Sequence, residues 1–207
     1  MPEKRQKPGK QLILILGGVR SGKSAFALEL ARRMGQRVTF IATARAEDEE
    51  MRRRIEEHRK ARPPHWRTIE ARLEVARALR EESDQAEVIL LDCLTLLVSN
   101  LLLEAGEGAC VGEVEARVMA EVAQLLAAFE DGTTSLIVVS NEVGMGVVPP
   151  HPLGRAYRDL LGKANQVVSQ AADKVYWMLA GLPVEIKASG LAATTLQPCK
   201  AQCDGQT

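Results

Sequence analysis

Continuous apolar runs alternate with amphipathic stretches along this chain. Residues 11–16 (QLILIL) are apolar without interruption and end in glycine, the pattern of a strand buried on both faces. Residues 37–42, 87–91 and 135–140 repeat it and predict three more strands. Between them the period lengthens to that of a helix. Residues 24–34 carry Phe26, Leu28 and Leu30 among good helix formers. Residues 47–60 are acidic in the first turn and basic in the last, which complements the helix dipole, and Pro63 and Pro64 stop them. Residues 69–82 predict one helix through Leu73, Ala76 and Leu79, and residues 94–104 another. The clearest amphipathic stripe is Val114, Val118, Val122, Leu125, Leu126 and Phe129 within residues 113–130. A last helix at 153–172 carries Tyr157, Leu160, Leu161, Ala164 and Val168. Two short strands, 174–179 and 184–187, flank a glycine-containing turn and predict a closing hairpin. The expected fold is α/β in three layers, a mainly parallel sheet covered on both faces, with a C-terminal β-hairpin. Residues 11–187 form the domain; residues 1–10 and 188–207 are expected to be a disordered extension and a flexible tail.

Composition narrows the class. The 207 residues are 46% hydrophobic and 26% charged, which excludes disorder for most of the chain. Lys+Arg and Asp+Glu are both 27, so no global positive field holds this protein to nucleic acid. No apolar run approaches the ~20 residues of a membrane span. Residues 1–10 are basic, hold two prolines and lack the apolar core of a secretory signal. Cys93, Cys110, Cys199 and Cys203 are too scattered for a disulfide scaffold or a zinc site, and a reducing cytoplasm is expected. Aromatic residues are only 3%, so Leu, Val, Ile and Ala must build the core.

Gly17, Gly18, Val19, Arg20, Ser21, Gly22, Lys23 and Ser24 match G-x-x-x-x-G-K-[ST] between a predicted buried strand and a predicted helix. Backbone N–H groups of such a loop wrap phosphate oxygens, the lysine reaches the β and γ phosphates, and the hydroxyl after it ligates Mg²⁺. The helix N-terminus adds partial positive charge. Four matching positions arise by chance roughly once in a hundred chains of this length. Asp92 ends the third apolar strand, where a P-loop enzyme places its metal-side carboxylate, acting through water; an N-cap for the next helix is the competing reading. The guanine-reading motif Asn-Lys-x-Asp of switch GTPases is absent, as is an Asp-x-x-Gly switch after that strand. A timer GTPase is therefore excluded.

Of three histidines, His58 stands out. Met51, Ile55 and His58 are spaced i, i+4, i+7, which puts the imidazole on the inward stripe of its helix, at the last turn. Arg59, Lys60 and Arg62 follow. A neutral imidazole there could attack an α-phosphate and carry a nucleotide as a phosphoramidate, with the cations neutralising the transition state. A histidine satisfied at a helix C-terminus is the alternative. His65 could bind substrate or pack beside Trp66, and His151, among prolines, is expected to face solvent.

These segments converge on one family. The P-loop, Phe40-Ile41-Ala42-Thr43-Ala44, the helix from Met51 to Arg62, Pro64 to Glu70 with its His-Trp-Arg-Thr run, the strand ending in Asp92, and Ser140 to Pro149 (SNEVGMGVVP) together resemble the bifunctional adenosylcobinamide kinase / adenosylcobinamide-phosphate guanylyltransferases of cobalamin biosynthesis. The resemblance runs from about Leu12 to Lys187. It implies a RecA-like P-loop fold, a homotrimer and two reactions. ATP or GTP phosphorylates the aminopropanol hydroxyl of adenosylcobinamide; GTP then guanylylates a histidine, and the GMP passes to the phosphorylated corrinoid, giving adenosyl-GDP-cobinamide. The family's guanylylated histidine falls on His58. Its nucleotide contacts fall on Gly17 to Ser24, on Ala42, Thr43 and Ala44, on Arg59, Lys60, Ala61 and Arg62, on Glu70 and on Asp92. Some members carry two adjacent histidines in this helix; here Glu57 precedes His58 and leaves no rival. A one-step small-molecule kinase and a non-catalytic nucleotide-binding subunit are the competing readings.

Overall fold

Seven strands build one sheet: β1 (Leu12–Gly17), β2 (Val38–Ala42), β3 (Arg67–Glu70), β4 (Val88–Asp92), β5 (Ser135–Asn141), β6 (Lys174–Leu179) and β7 (Leu182–Lys187). The computed structural model describes residues 9–45, 48–106 and 108–187. The tail at 188–207 and all but the last two residues of the N-terminal extension lie outside the described residues. The strand order is β3-β2-β4-β5-β1-β6-β7. Every pairing is parallel except that of β7 with β6. The helices are α1 (Lys23–Met34), α2 (Glu49–Lys60), α3 (Val75–Glu82), α4 (Leu94–Ala105), α5 (Val111–Asp131) and α6 (Pro152–Ala171). The expected α/β architecture with its closing hairpin is what forms.

The continuous apolar runs reflect burial on both faces of the sheet. Leu12, Leu14, Ile89, Leu91, Leu136 and Val138 point into the larger core, shared with α3 to α6. Their neighbours Ile13, Ile15, Val88, Leu90, Ile137 and Val139 point into a smaller one, shared with α1. Each of these side chains contributes about 1.5–3 kcal/mol of burial. The two cores therefore clamp β1, β4 and β5, and the carboxyl ends of these strands are held rigidly where an open α/β sheet binds its ligands.

One prediction needs correction. Residues 69–82 do not form one helix: residues 67–70 are the edge strand β3, and α3 begins only at Val75. Three of the four β3 side chains are exposed, so the segment lacks the apolar run that marks the inner strands. Its pairing comes from distant residues. Ala71 N donates to Ala42 O at 2.9 Å, continuing the ladder past Glu70. Arg67 Nη2 lies 3.1 Å from Glu82 Oε1, and Thr39 Oγ1 donates to Glu82 Oε2 at 3.0 Å. The start of α3 is likewise set from afar: Val75 N donates to Glu121 Oε1 of α5 at 3.0 Å.

Candidate active site

The glycine-rich loop leaves β1 at Gly17, whose φ of 154° sits at the margin of the left-handed half of backbone space. A Cβ there would come within 2.7 Å of Met178 O and 2.8 Å of Ser21 Oγ. Gly22 has φ 94°, and a Cβ on it would meet Gly181 Cα at 3.3 Å. The β6–β7 turn thus backs the loop, and Gly181 N donates to Ser21 O at 3.0 Å. Lys23 opens α1 and is buried; its Nζ donates to Gly18 O at 2.6 Å. Burial lowers the Lys23 pKa, opposed by the nearby Cys93 and Asp92.

Asp92 ends β4, and its side chain is only 14% exposed. It is not the N-cap of α4. Cys93 holds that position and caps with no side-chain hydrogen bond, so Asp92 is left to face the site. His58 Nδ1 lies 3.6 Å from Asp92 Oδ2, an ion-pair distance that is long for a hydrogen bond. The Asp92 carboxylate at Nδ1 raises the His58 pKa, burial and Arg62 pull it down, and the charges of Asp92 and Glu57 add to the rise. Of the predicted inward stripe, Met51, Ile55 and His58 all line one cavity of about 1010 Å³. The stripe therefore faces a cleft rather than the apolar core, and the His58 side chain is 47% exposed.

The same cavity is lined by Val19 to Ser24, Ala42, Ala44, Arg59, Arg62, Glu70 and Asp92. Gly17, Gly18, Thr43, Lys60 and Ala61 are not on its wall. Thr43 is wholly buried and works as a strap: its Oγ1 donates to Cys93 O and accepts from Cys93 N, both at 2.8 Å, tying the end of β2 to the end of β4. Ala61 closes α2 and accepts from Arg32 Nη2 at 3.1 Å. His65 and His151 are exposed and stand off the cavity, while Trp66 is buried in the smaller core. Asn141, at the end of β5, does reach the cavity.

Several cavity residues were not legible in the motifs. Phe40 lies under Arg62, whose Cζ is 3.5 Å from the ring centroid. Burial lowers the Arg62 pKa against the pull of Asp92. Arg72 follows β3, on the cavity wall beyond Glu70. Cys93 is a second nucleophile by type, but burial pushes its thiol up to about 12 and keeps it protonated near neutral pH. Six cationic residues (Arg20, Lys23, Arg45, Arg59, Arg62, Arg72) line the cavity against three carboxylates (Glu57, Glu70, Asp92). A chain of zero net charge has therefore gathered positive potential where a polyphosphate would sit.

A family model described as cobinamide kinase / cobinamide phosphate guanyltransferase matches residues 13–186. The chain is 45% identical over 178 residues to the bifunctional adenosylcobalamin biosynthesis protein CobP of Pseudomonas aeruginosa, covering 86% of this chain and 98% of that one. It is 40% identical over 181 residues to the bifunctional adenosylcobalamin biosynthesis protein CobU of Escherichia coli, covering 85% and 99%. A CobU of the same description from Salmonella typhimurium is 38% identical over 181 residues, with the same coverage.

Proposed function

The chain belongs to the cobinamide kinase / cobinamide phosphate guanyltransferase family, and on that footing we propose how one cavity performs two reactions. In the first, the aminopropanol hydroxyl of adenosylcobinamide attacks the γ-phosphorus of a nucleoside triphosphate. A new P–O bond forms, the bond to the β-phosphate oxygen breaks, the diphosphate leaves and the hydroxyl proton is lost. In the second, a ring nitrogen of His58 attacks the α-phosphorus of GTP; an N–P bond forms and pyrophosphate departs. A phosphate oxygen of the cobinamide phosphate then attacks the same phosphorus, the N–P bond breaks, and adenosyl-GDP-cobinamide leaves with the imidazole regenerated.

Gly17 to Ser24 hold the β and γ phosphates, with Lys23 as their buried cation. Ala42, Thr43, Ala44, Glu70 and the Arg59 to Arg62 segment hold the rest of the nucleotide; Thr43, Lys60 and Ala61 act through the backbone they fix rather than by facing the cavity. Arg59 and Arg62 offset the charge that grows on the α-phosphate. Asp92 sits at Nδ1, so a proton held there leaves Nε2 with the free lone pair, and Nε2 is the attacking atom.

A magnesium ion fits this donor set. The Ser24 hydroxyl in the first turn of α1 would hold it directly and the Asp92 carboxylate through water. No group of three or more His, Cys, Asp or Glu side chains is gathered among the described residues. The remaining ligands would then be phosphate oxygens and water, the set Mg²⁺ favours. When bound it neutralises charge on the phosphates.

The trimer implied by the resemblance draws support from β7, whose Leu182, Val184 and Ile186 form an exposed apolar row on an edge strand. Among the described residues no helix is long and apolar enough to cross a membrane, and a cytoplasmic location fits the four scattered cysteines.

The observation that carries the reading is His58 over Asp92 in the cavity that the P-loop opens into. Incubation with GTP labelled at the α-phosphate tests it. The protein acquires acid-labile, base-stable label; His58→Ala abolishes it while sparing much of the kinase step, and Lys23→Ala damages both. Label that persists in His58→Ala assigns the nucleophile elsewhere, and a protein that never takes label is a simple kinase or a binding subunit.

A further inference from the structure

The switch-GTPase guanine motif is missing, yet the second reaction requires GTP to be told from ATP. The strand order says where that reading happens. The P-loop follows β1, Asp92 with His58 stands at the end of β4, and the cavity continues past Ala42 on β2 to Glu70 on β3. β3 is four strand spacings from β1, about 19 Å. That span accommodates an extended nucleoside triphosphate with its γ-phosphate in the P-loop, its α-phosphate at His58 and its base at β3. Whatever recognises guanine sits at the β3 end.

Two side chains on that wall have complementary chemistry. Glu70 presents an exposed carboxylate. Arg72, two residues further on, is partly buried, and its Nε is sealed from solvent with no hydrogen-bond partner. That sealed Nε is closed to a ligand as well, so Arg72 meets the cavity through the rest of its side chain. Arg72 is also held in place from behind. Asn100 is buried in α4, and its Nδ2 donates to Arg72 O and to Thr43 O, each at 3.0 Å. One amide thereby ties the backbone of Arg72 to the loop after β2.

Guanine offers O6 and N7 as acceptors on one edge and N1–H and N2–H₂ as donors on another. Adenine puts an amino donor where guanine has O6. A guanidinium and a carboxylate on one wall match guanine on both edges; adenine keeps N7 but lacks the O6 acceptor and the N1–H and N2–H₂ donors. A phosphate is the poorer occupant at this position, because Glu70 would repel it and the P-loop lies at the far end of the cavity. Resting on the two-step reading above, we propose that Arg72 is a specificity-determining residue of guanylyl transfer, donating to O6 and N7 of guanine while Glu70 accepts from N1–H and N2–H₂.

The test compares donors within each protein, so a partly misfolded variant cannot imitate the result. The readout is kcat/KM for transfer of α-phosphate label to the enzyme from GTP, 7-deaza-GTP, which lacks the N7 acceptor, and ATP. In the wild type 7-deaza-GTP falls ~10-fold or more below GTP. Arg72→Met lowers the GTP value, removes the 7-deaza penalty and narrows the GTP-to-ATP ratio at least ~10-fold; Arg72→Lys restores part of both ratios. A 7-deaza penalty and a GTP-to-ATP ratio that survive unchanged in Arg72→Met overturn the assignment, while label on His58 leaves the two-step reading standing. If no triphosphate labels even the wild type, the two-step reading fails first, and the assignment with it.

Discussion

At the scale of single residues, the site depends on what surrounds two groups of modest intrinsic reactivity. His58 is half exposed, and Cys93, a better nucleophile when ionised, is kept as a thiol by burial. The distinction between them is environmental, and composition could not supply it. His58 itself was legible, because one histidine stood in register with Met51 and Ile55 and cations followed it; that Asp92 faces its Nδ1 was not, since helix and strand are 34 positions apart. The contact has a pH signature. His58 in the free enzyme titrates above its ordinary value, and Asp92→Asn lowers it, because the carboxylate is the leading cause of the rise while burial and Arg62 oppose it. The sign for stability follows: with the folded value raised, the contribution of this contact is fully present below pH 6.5 and is lost as pH rises through the raised value. Histidine NMR reads the shift directly, and a His58 value that does not move in the variant removes Asp92 as its cause.

Elements show where local pattern stops being informative. The inner strands announced themselves because both of their faces are buried, and α5 because one stripe is. β3 did not, for its four residues alternate at an exposed edge and owe their conformation to partners elsewhere: the ladder to β2 and the ion pair of Arg67 with Glu82. Glu82 is the buried half of that pair, with its side chain 2% exposed, while Arg67 is 56% exposed. Arg67→Ala therefore strands a buried carboxylate that, among the described residues, keeps the hydrogen bond from Thr39. The expected loss is about 2 kcal/mol, less than the ~3–5 of a fully buried pair because water screens the arginine. Urea denaturation measures it as a lower midpoint, partly recovered when Glu82→Gln is added, since the neutral amide no longer needs a cation. An unchanged midpoint in Arg67→Ala means the ion pair does not anchor the edge strand. Because Glu70 and Arg72 hang from β3, the same variant should also weaken GTP binding.

Taken whole, the molecule concentrates charge on one rim of the sheet and leaves apolar surface on another. The cavity gathers six cationic residues against three carboxylates in a chain of zero net charge. At the opposite flank, β7 is the edge strand among the described residues and exposes Leu182, Val184 and Ile186. Light scattering should return about three times the 22.6 kDa chain mass, and Val184→Glu, a charge on that edge, should shift the population toward single chains. A wild type that remains monomeric at micromolar concentration rules out the trimer. By itself the sequence determined the order of strands and helices apart from β3, the glycine-rich loop after β1 and the one histidine in register with Met51 and Ile55, because each is written in neighbouring residues: a burial period, a run of glycines, a helical spacing. Only the tertiary structure decided that the α2 stripe turns toward a cleft, that Asp92 meets His58 instead of capping α4, that residues 67–70 are a strand, and that Arg72 stands on the cavity wall. Those outcomes rest on contacts between segments distant in the chain, which form only once the sheet has assembled and which no local pattern encodes.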